Sequence, residues 1–578
     1  MRRGLRGVFV FGCARVLQVL VTWAGILAGL WPTGLYAEAP VIEAMFPVGG
    51  RIGSVSKVVF TGKFGAGPVR GWAERPGIEF KGAGSNGVFE VVIGTNVSAG
   101  PCLIRLFNAD GASRPRIFMV GTHPEMTEVE PNDSAGAAQM VAGLPASIHG
   151  RFDKPGDVDS YAVKLAAGQT LVAEVVANMA GSSIDPVINL RDADGNKAAF
   201  AHDGYGLDPL LVFPVTKSGT YVLQVSGFAY PPAADVRFVG GKNQHYRLSI
   251  TAGPYVRYAF PAGIPRGAAT VQLHGWNLGG TNGWVAQSVP ESATTGRVDF
   301  VEITPTGLPH RLRLVVGDGP DLAEVEPNDL RTNAQKVLPP VTVNGRIGGV
   351  GDVDRFRFSA RKGERLDIKL LASSLGAPMD GLLVVEDAGG KELARVDDSG
   401  GDFDARLSWT APADGEYLVG VRDLFGKGGP DYVYRLEVRP PVAGFTVAAE
   451  NHAFAVQVGK TNELKLTVTP VNGYSCTNLT VKVEGLPEGV VARVPPMVAK
   501  GGEVKVVLVA SPEAEPSNQP IRVFVGEGSG KGKSRSAVFA VNAKDTSPEL
   551  WINHTDTLWL TVTAGPALAS PVIKKKKK

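Results

Sequence analysis

The chain has 578 residues, enough for roughly three to five domains, and its 73 glycines and 41 prolines make up about a fifth of it. Gly and Pro at that frequency exclude long helical bundles and coiled coils, and the lack of a Gly-X-Y period excludes collagen. The net charge of +3 resides at the two ends: without Arg2, Arg3, Arg6 and Arg15 the balance is −1, and without Lys574–Lys578 it is −6, so the body offers no clustered basic face for nucleic acid.

Taken in chain order, the first predicted element is a secretory signal over 1–37. Arg2, Arg3 and Arg6 give it a positive start, and Val16–Leu30 is apolar except for Gln18 and Thr22. Pro32 and Gly34 then break the run, and Ala37 offers a small residue before Glu38. At 15 residues the run is shorter than the roughly 20 that span a bilayer; an uncleaved anchor is the alternative. No later segment is long and apolar enough to span, so no transmembrane segment is expected after cleavage. Beyond Cys13 in the signal, Cys102 and Cys476 lie far apart. They are predicted as buried thiols on strands, not as a disulfide framework.

The rest of the chain repeats itself. Glu128-Val-Glu130-Pro-Asn132-Asp133 returns as Glu324-Val-Glu326-Pro-Asn328-Asp329, and Gly156-Asp157-Val-Asp159-Ser-Tyr161 as Gly351-Asp352-Val-Asp354-Arg-Phe356. Asp192-Ala-Asp-Gly195, Gly219-Thr-Tyr221 and Tyr246-Arg-Leu248 return as Asp387-Ala-Gly-Gly390, Gly415-Glu-Tyr417 and Tyr434-Arg-Leu436. The first copy is longer by a loop near Phe228–Asn243. A second repeat precedes each of these: Pro47-Val-Gly49 through Gly53 to Thr61-Gly62-Lys-Phe-Gly65 matches Pro261-Ala-Gly263 through Gly267 to His274-Gly275-Trp-Asn-Leu-Gly279. A two-part unit thus occurs twice, and a different stretch follows from about Arg439.

Alternating runs predict strands at Ser160–Leu165, Thr220–Val225, Arg355–Ser359, Glu463–Thr469, Thr480–Val483 and Glu503–Val509. Asp-Gly and Gly-Gly pairs supply the turns between them, with Leu486–Gly489 as one such turn. The predicted fold class is all-β, a tandem series of β-sandwich modules.

Within each copy, acidic residues gather at fixed spacing. Pro131 biases Glu130 toward extended backbone, where residues two apart point the same way, so Glu128 and Glu130 project together with Asn132 and Asp133 at a bend. Asp157 and Asp159 are also two apart. The second copy offers Glu324, Glu326, Asn328, Asp329, Asp352 and Asp354. Like charges brought together in this number repel, and a hard cation relieves that; Ca²⁺ takes 6–8 oxygen ligands. The alternative is structural: Asp133 or Asp329 could cap a short helix over Ala135–Met140 or Leu330–Val337, and the Asp pairs could be solvated turn residues.

The order of these motifs resembles the bacterial pre-peptidase C-terminal domain, a small jelly-roll β-sandwich appended to many secreted proteins, proteases among them. The collagen-binding domains of secreted collagenases are similar to it, and there the acidic lead-in segment and the later Asp pair bind calcium. The resemblance covers about 123–253 and 321–438. It implies one Ca²⁺ in each copy, held by the six residues named. The preceding units, 41–122 and 254–320, resemble IPT/TIG-type immunoglobulin-like domains. Residues 439–563 resemble a bacterial immunoglobulin-like domain, ahead of a basic tail over 564–578.

No catalytic constellation accompanies these motifs. The eight histidines form no His-Glu-x-x-His, and no Gly-x-Ser-x-Gly occurs. His202-Asp203 is replaced by Asp397-Asp398 in the second copy. Gly526–Ser534 mimics a phosphate loop, but Glu527 stands where the pattern needs Gly, and a hairpin is expected. Trp72, Trp276, Tyr230 and Tyr432 are candidates for a binding surface, with core or loop packing as the plainer reading. Lys574–Lys578 is read as a solvated tail, or one drawn to an anionic surface. The expectation is a secreted, periplasmic or surface protein, monomeric and non-catalytic, that binds or scaffolds protein or polysaccharide at the cell envelope. An accessory or targeting chain for a secreted hydrolase is the alternative, and an enzyme with an unrecognised site the second.

Overall fold

A computed structural model describes residues 38–564 except 66, 205, 233, 235, 242, 266, 279–283, 290–299, 304–311, 318–320, 400–402, 478, 495–500, 528–533 and 543–549. The expected signal over 1–37, the tail and most of the loop at 526–534 lie outside these residues. The frequent Gly and Pro have the effect their chemistry dictates: among the described residues the only helices are three single 3-10 turns, and strands make up the rest of the regular structure. No helix among the described residues is long and apolar enough to cross a membrane.

The two long repeats share one topology. In the first copy one sheet runs Glu125–Thr127, Ala146–Arg151, His245–Thr251, Thr170–Val176 and Leu210–Pro214. The facing sheet runs Gln139–Met140, Asp159–Leu165, Gly219–Ala229, Ile184–Arg191 and Lys197–Ala201. The second copy has the same order, with Asp321–Ala323, Val341–Arg346, Val433–Arg439, Arg365–Leu371 and Arg406–Thr410 facing a sheet that contains Asp354–Ala360 and Gly415–Asp423. In each, the short lead-in strand pairs parallel to its neighbour, Glu125 beside Ser147 and Asp321 beside Thr342. Inward residues of both sheets form the cores: Ile148, Tyr161, Leu223 and Leu248 in the first, Val343, Phe356, Val419 and Leu436 in the second.

The remaining sandwiches have separate cores. Phe60, Phe89, Ile104 and Phe118 pack in the first; Val256, Ile264, Val271 and Leu314 in the third; Leu464, Val506, Val523 and Leu560 in the fifth. Burial in the strand Asp354–Ala360 alternates as its pattern predicts. In Asp159–Leu165 it does not: Ser160 and Ala162 on the outer face are buried too, where Gln224 donates to the Ser160 hydroxyl at 3.2 Å. Cys102 lies on a strand, but Cys476 sits in the loop before Leu479–Glu484, tucked into the fifth core. The helix expected over Ala135–Met140 is one 3-10 turn, Ala135–Ala137, capped by Ser134 without a side-chain bond. Leu330–Val337 contains no helix; there Asn333 accepts from the Leu330 N–H at 2.8 Å.

Sandwiches at the two ends of the described chain touch. Arg105, 1% exposed, donates to the Ser113 carbonyl at 3.1 Å and the Thr557 carbonyl at 2.9 Å, and meets His452 Nδ1 at 3.0 Å. Burial and the Arg105 charge push His452 down to about 3, so the ring is neutral and accepts. Trp559 is fully buried, edge-on to Trp72 with ring centroids 5.5 Å apart and 5.0 Å from Phe107; Trp72 is thus packing, not free surface. Trp559→Ala is expected to destabilise the fifth sandwich by about 3–5 kcal/mol, read as a lower denaturant midpoint for that unit.

Candidate metal centre

Two strands and a turn build each acidic pocket. The lead-in segment leaves its parallel pairing at Thr127, and Val129 points outward, 64% exposed, while Glu128 is half-buried and Glu130 sits at the exposed rim of the same acidic group. The strand that starts at Asp159 brings up the second acid from the facing sheet. One carboxylate oxygen each from Glu128, Glu130 and Asp159 lies within 4.8 Å of the others, and the same holds for Glu324, Glu326 and Asp354. At that separation each like-charge pair costs roughly 3 kcal/mol at an effective dielectric of about 20.

Hydrogen bonds occupy one oxygen of each acid. Glu128 Oε2 accepts from the Arg151 N–H at 2.8 Å, and Glu130 Oε2 from the Asn132 N–H at 3.0 Å. Asp157 Oδ2 accepts from the Asp153 N–H and Asp159 Oδ2 from the Tyr246 hydroxyl, both at 2.6 Å. The second copy repeats this: Arg346 N–H on Glu324, Asn328 N–H on Glu326, Gly348 N–H on Asp352 and the Tyr434 hydroxyl on Asp354. Five further oxygens lack a hydrogen-bond donor, although the Lys154 ammonium lies 3.8 Å from Asp157 Oδ1. Asn132 Oδ1, Asp157 Oδ1 and Asp159 Oδ1 are buried and accept no hydrogen bond, and so are Asn328 Oδ1 and Asp354 Oδ1. Buried oxygens of this kind are costly unless something positive meets them. A calcium ion fits the set, which is hard oxygen throughout, from carboxylates and one amide.

Electrostatics point the same way. Burial, then the Asp159 charge, pushes Glu128 up to about 9. Burial is also the largest cause that raises Asp159 to about 8, and with Glu324 it raises Asp354 to about 10. Glu324, Asp157 and Asp352 are raised by burial as well. With no cation present, protons must neutralise the pockets.

Asp133 and Asp329 stand apart from these triads. Asp133 pairs with Lys154 at 2.9 Å, which holds it below the usual carboxylate range. Asp329 lines the open face of the second pocket with Asp352 and the backbone of Gly348–Gly351. Neither caps a helix. His202 sits beside Asp203 at 2.6 Å, half-exposed on an edge and remote from the triads.

The landmark Tyr-Arg-Leu acquires a role that its sequence did not reveal. Tyr246 and Tyr434 face inward onto the acids. The next residues, Arg247 and Arg435, face the other way, lie against glycines of the preceding sandwich and pair with the lead-in acid of their own module. Arg435 donates to both oxygens of Asp321 at 2.7 and 3.0 Å, and Arg247 to Glu125 at 3.0 Å. A Cβ at Gly121 would lie 2.1 Å from the Arg247 guanidinium, and one at Gly317 2.2 Å from that of Arg435, so a larger residue there would have to displace the guanidinium. Arg435→Ala leaves Asp321 unpaired and is expected to cost about 3–5 kcal/mol, seen as faster proteolysis of that connection.

Residues 352–423 match the family model of the bacterial pre-peptidase C-terminal domain. Over 99 residues the chain is 37% identical to a probable subtilase-type serine protease of Deinococcus radiodurans, a match that covers 17% of this chain and only 14% of that protein. Among solved structures, the pre-peptidase C-terminal domain of a collagenase from Bacillus anthracis is matched over 99% of its length by 21% of this chain, at 18% identity and a TM-score of 0.15. Surface layer protein SbsC, domains 1–6, is matched over 54% of its length by 72% of this chain, at 12% identity and a TM-score of 0.14.

Proposed function

We propose that this chain, which carries a bacterial pre-peptidase C-terminal domain at 352–423, is an exported, non-catalytic binding or scaffold protein whose two acidic pockets each take one calcium ion. The observation that carries the reading is the duplicated set of buried, donor-free oxygens at Asn132 and Asp159, and at Asn328 and Asp354. Glu128, Glu130, Asn132, Asp157 and Asp159 would hold the ion in the first copy, with Asp133 at the rim. Glu324, Glu326, Asn328, Asp352 and Asp354 would hold it in the second, with Asp329 at the rim. The ion supplies positive charge and no reaction. Its effect is to tie the lead-in segment to the facing sheet, and so to fix the strand whose Glu125 or Asp321 pairs with the arginine that lies against the preceding sandwich.

The match to a subtilase-type protease favours a second reading, in which the chain is an accessory or targeting partner of a secreted hydrolase. Calorimetric titration of the chelator-stripped chain tests the calcium reading. Two sites are expected, and one should vanish in each of Asp159→Asn and Asp354→Asn; no heat of binding contradicts it. Peptide and glycan panels separate the functional readings. Binding without turnover supports a binding chain, whereas hydrolysis abolished by one substitution overturns it.

A further inference from the structure

The two acidic pockets share one turn, Asp153–Asp157 in the first copy and Gly348–Asp352 in the second, and its main chain is held alike in both. Asp157 Oδ2 accepts from the Asp153 N–H and Asp352 Oδ2 from the Gly348 N–H, each at 2.6 Å. The Asp157 N–H donates to the Lys154 carbonyl at 3.1 Å, and the Asp352 N–H to the Gly349 carbonyl at 3.3 Å. Gly156 and Gly351 bond across to the Phe238 and Gly426 carbonyls at 2.9 and 3.0 Å. Behind each turn, the fully buried side chain of Asn132 or Asn328 has no hydrogen-bond partner. The turns differ in their side chains: Lys154 stands where the second copy has Gly349, and Asp153 where it has Gly348.

Lys154 carries a positive charge into the first pocket. Its ammonium lies 2.9 and 3.0 Å from the two oxygens of Asp133, and 3.8 Å from Asp157 Oδ1. The extra acid, Asp153, is taken up by Arg151 at 2.5 Å. In the second copy no ion pair joins Asp329 or Asp352 to a cation among the described residues. The space before them is an open cavity of about 510 Å³, lined by Glu324, Glu326, Asp329, Asp352 and the turn Gly348–Gly351. Arg346 also lines it, but its guanidinium lies over the rings of Tyr258 and Phe260, at 5.9 and 5.4 Å. Arg355 donates to the main-chain carbonyl of Asp329, with its Nε 3.9 Å from Glu386.

A cation that takes Asp157 Oδ1 meets the ammonium already beside it, and the two repel. Lys154 is 59% exposed, so its side chain can swing into water, at the loss of its pairing with Asp133 and Asp157. We propose that Lys154 is a built-in competitor of calcium at the first pocket, so that the second pocket fills at the lower calcium concentration and the first only as the lysine leaves. The inference rests on the calcium reading and adds an order to it: the lead-in strand of the second copy is tied down before that of the first.

The test is calorimetric titration of the full, chelator-stripped chain with calcium chloride. Two affinities about tenfold apart are expected, the scale of displacing one exposed, paired ammonium. Asp354→Asn should remove the tighter and Asp159→Asn the weaker. Lys154→Gln should tighten the weaker site by about tenfold, while Lys154→Arg, which keeps the charge, should leave it weak. Gly349→Lys should weaken the tighter site by about tenfold; a Cβ there meets nothing within 4 Å, so the turn admits the side chain. Near-ultraviolet circular dichroism in chelator checks that each variant is folded, and should Gly349→Lys not fold, the two Lys154 variants carry the test. Two equal affinities, a tighter first pocket, or a Lys154→Gln chain that binds as the parent does would overturn this proposal and leave the calcium reading standing. No binding at either pocket would overturn both.

Discussion

Saturating calcium is expected to raise the unfolding midpoint of the chelator-stripped chain by about 8–12 °C, and Asp159→Asn with Asp354→Asn to remove that rise. A ligand at about a hundredfold over its dissociation constant stabilises the folded state by about 2.7 kcal/mol per site. For a domain of this size, that is about 3–5 °C per kcal/mol. The amide keeps an acceptor for the Tyr246 or Tyr434 hydroxyl, which donates at 2.6 Å in both copies, so packing is preserved while one charge is lost. The variant should therefore melt no lower than the chelated parent, because one source of repulsion has gone. Differential scanning calorimetry reads both effects. A structural role for these acids predicts the opposite, a lower melt in the variant with or without calcium.

Raising the pH should destabilise the chain in chelator and leave it nearly unaffected in calcium. Glu128, Asp159 and Asp354 titrate at about 9, 8 and 10 in the folded protein, all above their unfolded values and chiefly through burial. The folded state therefore holds more protons than the unfolded one between about pH 4 and pH 10, and stability falls as pH rises through that window. Even a tenfold difference in proton affinity at one carboxylate, about 1.4 kcal/mol, moves the midpoint by about 5 °C. His452 acts in the opposite direction and lower: held at about 3 by burial and Arg105, it contributes stability above pH ~6.5 that is lost as pH falls toward 3. Melts at pH 5, 7 and 9 with and without chelator separate the two. A chelated chain whose midpoint rises from pH 5 to 9 would contradict charged, crowded pockets.

The repeat made much of this architecture legible from the sequence. Alternation placed the strands at 160–165, 220–225 and 463–469 within the observed Asp159–Leu165, Gly219–Ala229 and Thr461–Val471. The two-residue spacing of Glu128 and Glu130 led to the convergence now seen with Asp159. What stayed hidden depends on contacts between distant residues. Nothing local to Arg105 announces that it will be buried against His452 and Thr557. The Tyr-Arg-Leu landmark was visible twice, but alternation alone does not say that its Tyr meets the acidic pocket and its Arg the acid of the lead-in strand. The acids were legible for a chemical reason: a cation site concentrates a rare residue type at short spacing, whereas an apolar junction uses residues found in every strand.

The calcium account is tested most directly by crystals grown in calcium and examined by anomalous diffraction. It predicts one peak in each copy, bounded by Glu128, Glu130, Asn132, Asp157 and Asp159 in the first and by Glu324, Glu326, Asn328, Asp352 and Asp354 in the second. Carboxylates turned out into solvent around featureless density in both copies would contradict it.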